Sequence, residues 1–292
     1  MRLVLIGDIH AARLRVPPWR LLGKRFLGQL NLWLRRRHRF DLRLLPPVLE
    51  RAASLNPDLM LLSGDLSTTA LRGEFEDVSQ SLAALDGRVP IVIVPGNHDR
   101  YTFASARQRT LERVFAGSVP QHFPDVRPLA GSWRLLCLDA SKPRILSSRG
   151  RLGSDQLNAA QQVVSSLSEQ DGLVVICHYP FGAPPHVRML WDHRLADDAA
   201  FEAMLANCRG RVLLLHGHVH EPWCWQPDGA AHVLCVNAGS PTMHDGRGSR
   251  GHGFWQMDLP GDARGDLELV RHEPAPGGAD WASHRATVKR TK

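Results

Sequence analysis

The stretch RVLLLHGHVHEP, residues 211–222, places three histidines directly after a run of apolar residues: His216, His218 and His220. An apolar run bounded by a polar turn is typical of a fully buried strand. Alternate residues of a strand point to one face, so the three imidazoles would share a face if the strand geometry persisted. Two interpretations stay open here: a histidine-rich strand end at the surface, or a site where at least two rings bind a metal.

Six further apolar runs have the same character. They are LVLIGD (3–8), LMLLSGD (59–65), IVIVPGNHD (91–99), RLLCLDAS (134–141), LVVICHYP (173–180) and VLCVNAGS (233–240). Between several of them, apolar residues at helical spacing or flanking prolines predict helices at 46–55, 74–85, 155–167 and 197–205. Strands that alternate with helices indicate a layered α/β fold with buried sheets.

Polar side chains follow five of these strands at the point where each strand ends. They are Asp8 and His10, Asp65, Asn97 and His98, His178, and His218 and His220. Ligands of open α/β sheets bind at the carboxyl ends of the strands, so these side chains are predicted to form one site. Gly7, Gly64, Gly96 and Gly217 precede these groups, where the backbone is expected to turn tightly and pack closely.

Composition describes an ordinary globular chain that carries one basic segment. The net charge of the 292 residues is +7, yet residues 13–43 alone hold ten Lys or Arg and one acid. The five cysteines show no C-x-x-C spacing, which disfavours a disulfide framework or a zinc finger. No apolar run approaches the roughly 20 residues of a membrane span, and the start is too short for a signal peptide. We therefore expect the chain to begin at Met1 and to stay in the cytoplasm.

The motifs GDIH (7–10), GDL (64–66), GNHD (96–99), CHYP (177–180) and GHVH (217–220), in this order, resemble the calcineurin-like metallophosphoesterase superfamily. NAGS (237–240) fits the same resemblance. The resemblance implies an α/β fold of two packed mixed β-sheets flanked by helices, with two metal ions. Carried over by motif, the first metal would bind Asp8, His10, Asp65 and His220, and the second would bind Asp65, Asn97, His178 and His218. Asp65 would bridge the two ions.

Nitrogen and oxygen ligands without a thiolate favour Mn²⁺, with Fe or Zn²⁺ as alternatives, over Ca²⁺ or Mg²⁺. Two such ions about 3.5–4 Å apart can clamp the attacking and leaving oxygens of a phosphoryl displacement, and the water between them would attack phosphorus in line. The family resemblance places His98 over the phosphate, where it would protonate the leaving oxygen. Asp99 is the expected partner of its other ring nitrogen. For His216 a packing or supporting role is favoured.

The basic segment 13–43 follows the first motif directly and should lie beside the metals as a lid or wall. On a helical wheel most of its Trp, Phe and Leu residues from Trp19 to Leu34 gather on one side, although Leu21 and Leu32 do not, and Arg35, Arg36, Arg37 and Arg39 follow at its end. This pattern is typical of binding to an anionic membrane surface. A helix packed on its own domain, with solvated arginines, is the alternative. A nucleic-acid groove is disfavoured because the aromatic residues are not interleaved with the charges.

These observations predict one metallophosphoesterase domain over residues 1–273 and a loose tail over 274–292. The predicted function is hydrolysis of a phosphodiester or pyrophosphate bond. The basic segment favours an amphiphilic substrate similar to UDP-diacylglucosamine, a lipid A precursor, cleaved at the inner face of the membrane. The alternatives are a phosphodiesterase for soluble cyclic or linear nucleotides and a metal-free scaffold of the same fold.

Overall fold

The computed structural model describes residues 1–13, 25–26, 39–144, 147–180, 182–244, 252–275 and 280–288. The described strands are β1 (Arg2–Ile6), β2 (Leu59–Leu62), β3 (Ile91–Ile93), β4 (Asp125–Pro128), β5 (Trp133–Cys137), β6 (Gly172–Ile176), β7 (Arg211–His216), β8 (Trp223–Trp225), β9 (Val233–Asn237), β10 (Phe254–Asp258), β11 (Leu267–Pro274) and β12 (Trp281–Val288). The described helices are α1 (Leu45–Ser54), α2 (Arg72–Leu82), α3 (Phe103–Arg107), α4 (Thr110–Val114), α5 (Ser154–Ser165) and α6 (Asp198–Ala206). The seven strands and four helices predicted from the apolar pattern are all present, with ends shifted by a few residues.

The strands form two six-stranded mixed sheets. The first sheet has the order β12-β11-β10-β1-β2-β3, and the second has the order β4-β5-β6-β7-β9-β8. Each sheet contains a run of parallel strands: β1 with β2 and β2 with β3 in the first, and β5 with β6, β6 with β7 and β7 with β9 in the second. Parallel neighbours end at the same edge, so the polar residues that follow β1, β2, β3, β6 and β7 come together there.

Three apolar layers hold the two sheets and their helices together. Leu3 and Leu5 of β1 face the second sheet and pack with residues such as Leu213. Their neighbours Val4 and Ile6 point to the opposite face, toward α1 and α2. The second sheet buries its outer face under α5 and α6. Both faces of each sheet are therefore covered, which explains why the central strands are apolar throughout rather than alternating.

The predicted loose tail over 274–292 is wrong for its central part. Residues 281–288 form β12, an antiparallel edge strand in register with β11 from Pro274↔Trp281 to Leu267↔Val288. Trp281 packs 5.7 Å from the ring of Phe254, while the residues from Ser283 to Ala286 are exposed. An edge strand held by backbone hydrogen bonds needs little apolar surface, so no hydrophobic period marks it in the sequence. The domain thus extends past the predicted boundary at residue 273.

The predicted amphipathic helix of the basic segment lies almost entirely outside the described residues, with only 25–26 described between 13 and 39. The described parts do contact the domain. Arg25 donates through Nε and Nη2 to the carbonyls of Thr69 and Ala70, at 3.2 and 3.0 Å. At the end of the segment, the Asp41 N–H donates to the carbonyl of Thr242 over 2.7 Å. Within the described chain, no helix is long and apolar enough to cross a membrane.

Candidate metal centre

The first cluster gathers ligands from β1, β2 and β7. One ligand atom each of Asp8, His10, Asp65 and His220 lies within 4.8 Å of the others. The Nε2 atoms of His10 and His220 face each other at 2.9 Å. Asp8 is fully buried and is held by the backbone N–H of His218, which donates to both carboxylate oxygens at 3.1 and 2.9 Å. The carboxylate is thus fixed before any ion binds.

The second cluster shares Asp65 with the first. Ligand atoms of Asp65, His178 and His218 lie within 4.8 Å of one another. His178 Nε2 also lies 3.2 Å from the side-chain oxygen of Asn97 and 3.2 Å from Nδ1 of His218. The structure therefore places the seven side chains at one edge of the sheets, with Asp65 common to the two groups and Asn97 beside the second.

The orientation of His178 identifies which of its nitrogens is available to a metal. Its Nδ1 lies 2.7 Å from the carbonyl of Ser63. A carbonyl only accepts, so Nδ1 carries a proton, and Nε2, which faces Asp65, Asn97 and His218, is the nitrogen left for a metal ion. A backbone carbonyl on the outer nitrogen is the usual support for a metal-binding histidine.

The charges of the centre favour a bound cation. Burial alone would raise the pKa of Asp65, but the neighbouring His178 and His98 lower it well below the usual range. Burial likewise opposes the charged form of His178, yet Asp65 and then Asp8 raise its pKa to about 9. Carboxylates held in their charged form inside the protein need compensating positive charge, which divalent ions supply.

The donor set fits divalent metals of intermediate softness. Imidazole nitrogens that face each other at 2.9 and 3.2 Å, beside carboxylates, are positioned to share a cation. Every described cysteine lies outside both clusters. Cys177, next to His178 in the sequence, is buried, and burial raises the pKa of its thiol to about 12. Both clusters therefore offer nitrogen and oxygen ligands from the described residues.

The ligand-bearing turns adopt unusual backbone conformations. Asp8, His10, Asp65, His218 and His220 all have positive φ, between 51° and 75°. Side chains with a Cβ rarely adopt this region, and it is concentrated at functional sites where the surrounding structure enforces it. Two glycines allow the turns to pack this closely: a Cβ at Gly96 would collide with the carboxylate of Asp65, and a Cβ at Gly217 with that of Asp8.

The three histidines at the end of β7 and in the turn after it do not share one strand face. β7 ends at His216, and the positive φ of His218 and His220 breaks the alternation. His218 consequently joins the second cluster and His220 the first. His216 stays in the sheet, where its Nδ1 lies 3.2 Å from the amide nitrogen of Asn237 and its ring packs on Trp223. Burial lowers the pKa of His216 to about 3, which fits the predicted packing role.

Comparison with known proteins agrees with this geometry. Residues 1–222 match the family model described as calcineurin-like phosphoesterase. The chain belongs to the calcineurin-like phosphoesterase family. Two curated relatives are each named a probable cyclic nucleotide phosphodiesterase: one from Synechococcus, 28 % identical over 57 % of the chain, and one from Fibrobacter succinogenes, 26 % identical over 56 %. The matches span 59 % and 57 % of these relatives, so the chain covers less than two thirds of their length.

Solved structures show the same fold. A dimetal phosphatase from Danio rerio superposes with a TM-score of 0.67 at 15 % identity, and the superposition covers 99 % of each chain. A purple acid phosphatase from yellow lupin superposes with a TM-score of 0.56 at 16 % identity, over 97 % of this chain and 53 % of the lupin chain. At identities this low, the similarity shows the fold alone. That fold is the pair of packed sheets predicted for this chain.

In this calcineurin-like phosphoesterase, His98 lies beside the first cluster. Its ring centre is 4.9 Å from that of His10, and Tyr101 stacks on it at 5.7 Å. The backbone N–H of His98 donates to Asp65 at 2.8 Å. Its Nδ1 lies 2.7 Å from the carbonyl of Thr68, so Nδ1 carries the proton.

The predicted pairing of Asp99 with His98 is wrong. The carboxylate of Asp99 instead accepts hydrogen bonds from the backbone N–H groups of Ser67 and Gly96 and from the Ser67 hydroxyl, all at 3.0 to 3.1 Å. Burial, and then the charge of Asp65, raise the pKa of Asp99 to about 7. Asp99 thus connects the turns after β2 and β3 by hydrogen bonds, and the Thr68 carbonyl orients the ring of His98.

Two aromatic neighbours of the centre, Phe40 and His193, were not predicted from the sequence. Phe40, at the end of the basic segment, packs 4.5 Å from the ring of His10 and 5.5 Å from that of His220. His193, in a 3₁₀ turn at Trp191–His193, lies 5.3 Å from the ring of His218. Neither residue follows a predicted strand, so position in the sequence gave no signal for either. The basic segment nevertheless ends where it was predicted to lie, beside the first cluster.

Proposed function

We propose that this protein is a dinuclear metal-dependent phosphoesterase. The observation that carries the proposal is the position of Asp65, one buried carboxylate that belongs to both ligand clusters. A shared carboxylate is what a pair of adjacent cations requires, because it offsets their mutual repulsion. The proposed ligands are Asp8, His10, Asp65 and His220 for one ion and Asp65, Asn97, His178 and His218 for the other, and the closeness of their ligand atoms supports this assignment.

Two divalent ions, when bound, supply charge compensation for the phosphate and activation of water. Mn²⁺ is the proposed metal, with Fe or Zn²⁺ as alternatives, because the ligands are imidazole and oxygen. The protein itself supplies the rigid arrangement: the backbone of His218 fixes Asp8, and the carbonyl of Ser63 fixes His178. Ligands held in this way need little reorganisation when ions and substrate bind.

His98 is proposed as the proton donor to the leaving oxygen. The Thr68 carbonyl holds Nδ1–H, which leaves Nε2 as the atom that can take up and donate a proton. A carbonyl acceptor also stabilises the charged imidazolium form, in which both nitrogens carry protons. His98 therefore needs no carboxylate partner for this role.

A soluble nucleotide phosphodiester is the proposed substrate class. The names of the two curated relatives support it, since both are probable cyclic nucleotide phosphodiesterases, although the matched region covers only part of each. The second candidate is an amphiphilic phosphodiester or pyrophosphate bound at an anionic membrane. It is supported by the basic segment and by Phe26, which is 55 % exposed and adjoins Arg25.

A substrate panel assayed with Mn²⁺ tests both candidates. We expect hydrolysis of bis-p-nitrophenyl phosphate and of cyclic AMP, and no faster hydrolysis of UDP-diacylglucosamine in detergent micelles. Preference for the lipid substrate would favour the second candidate. Replacement of Arg35, Arg36 and Arg37 by glutamate should then abolish binding to anionic vesicles while hydrolysis of the small diester continues. Failure to hydrolyse any phosphoester would contradict the proposed function itself.

A further inference from the structure

A cavity of about 350 Å³ lies next to the loop that carries Thr68. Its lining includes Arg25 from the basic segment, Leu71 and Arg72 at the start of α2, and Arg113 and Val114 of α4. None of the seven proposed metal ligands belongs to this lining. The volume falls within the range of small-molecule sites. The cavity is thus a concave site separate from the metal centre.

The lining combines positive charge with an apolar surface. Leu71 is buried and Val114 half-buried, while Arg72 and Arg113 are exposed. Gln108 and Thr110 add an amide and a hydroxyl, and no described lining residue is acidic. Three guanidinium groups around an apolar surface suit a ligand with an anionic group and an uncharged part.

Arg72 and Arg113 carry positive charge that is little neutralised by the residues the structure describes. Arg72 pairs with Glu76 at 2.7 Å, but both side chains are largely exposed, and such pairs are weak. Arg113 makes no ion pair with a described residue. Arg25 donates to the carbonyls of Thr69 and Ala70, which hold its side chain at the cavity wall.

We propose that this cavity is a second binding site, specific for a phosphomonoester group. Arginine binds phosphate oxygens through two parallel N–H groups, which makes it the preferred residue for this ligand. The apolar surface of Leu71 and Val114 would contact the uncharged part of the same molecule. A nucleoside monophosphate and a phospholipid headgroup can both present a phosphomonoester. The first attaches it to a nucleoside and the second to a lipid.

Isothermal titration with AMP tests the site on the full chain with its metals. The Asp65→Asn variant, whose metal centre is disabled, should still bind one AMP. An Arg72→Gln/Arg113→Gln double variant should weaken that site by roughly 10- to 100-fold, the cost of losing charged hydrogen bonds. Arg88→Gln removes one positive charge from an exposed position outside the cavity and should bind AMP normally.

Thermal melting of each variant establishes that it is folded, and the double variant should hydrolyse bis-p-nitrophenyl phosphate at the normal rate.

Co-sedimentation with phosphatidic acid vesicles, compared with phosphatidylcholine vesicles, shows whether a lipid carries the phosphomonoester. Vesicle binding lost in the double variant but not in Arg88→Gln would assign the site to a lipid headgroup. The proposal is overturned if neither AMP nor vesicle binding depends on Arg72 and Arg113. An inactive wild type would refute the proposed function and leave the AMP result standing.

Discussion

At the scale of single residues, the centre depends on side chains held by backbone groups from distant parts of the chain. Asp8 is fixed by the N–H of His218, Asp65 by that of His98, and His178 by the carbonyl of Ser63. These contacts span from 33 to 210 positions, so no local pattern reveals them. The sequence predicted which residues would meet because they follow parallel strands, but not which atom each would contact.

Asp99 illustrates that limit. Adjacency to His98 in the sequence suggested a pair, yet the turn after β3 directs the two side chains to different partners. Asp99 accepts from Ser67 and Gly96, and His98 points to the Thr68 carbonyl. The hydrogen-bonding direction of a loop side chain depends on the fold of that loop, which composition does not determine.

Asp65→Asn should abolish hydrolysis and lower metal occupancy, because an amide carries no charge to offset two adjacent cations. Metal analysis by mass spectrometry and turnover of bis-p-nitrophenyl phosphate would be measured together. Asp171→Asn, which removes a carboxylate in an exposed turn between α5 and β6, serves as the control. Normal turnover with two ions retained in Asp65→Asn would contradict the bridging role.

His98→Ala should retain both metals and lower kcat by roughly 10²- to 10⁴-fold, the usual effect of losing a general acid. The loss should be smaller for p-nitrophenyl esters than for cyclic AMP, because p-nitrophenolate leaves without a proton. His186→Ala, which removes an exposed imidazole, should behave as wild type. An equal loss on both leaving groups would exclude proton donation and leave a role in binding phosphate.

At the scale of elements, the fully buried parallel strands could be predicted, and the antiparallel strands could not. β10 and β11 bury Gln256, Arg271 and His272 in addition to apolar residues, which interrupts the hydrophobic pattern. These polar groups have specific partners: His272 Nε2 lies 3.0 Å from Gln256, and Arg271 donates to the carbonyl of Ala238. Partners of this kind are visible only in the folded sheet.

His272 should make the stability of this sheet depend on pH. Burial and the nearby Arg51 and Arg271 lower its folded pKa to about 4, below the usual 6.5 or so. The unfolded chain therefore gains a proton first as pH falls, and stability present above about pH 6.5 is lost down to pH 4. The shift corresponds to at most about 3 kcal/mol.

Urea unfolding between pH 7.5 and 4 measures this dependence. His272→Gln, which does not titrate, should lose less stability over that interval than the wild type does. His284→Gln, on the exposed part of β12, is the matched control. Parallel pH profiles for wild type and His272→Gln would show that His272 is not the group responsible.

At the scale of the whole molecule, two sheets packed through one apolar layer bring the ends of five strands to a common edge. The first sheet contributes Asp8, His10, Asp65 and Asn97, and the second contributes His178, His218 and His220. Each ligand cluster draws on both sheets, so the centre forms only when the sheets pack together. The alternation of buried strands and helices predicted this layering, and the residues after the strands predicted the site.

We propose that hydrolysis needs two ions bridged by Asp65. The most direct test is the rate of bis-p-nitrophenyl phosphate hydrolysis as Mn²⁺ is titrated into chelator-treated protein at a protein concentration well above the metal dissociation constants. We expect no activity without metal and a rate that reaches its maximum at two equivalents per chain. A maximum at one equivalent, or full activity in the metal-free protein, would contradict it.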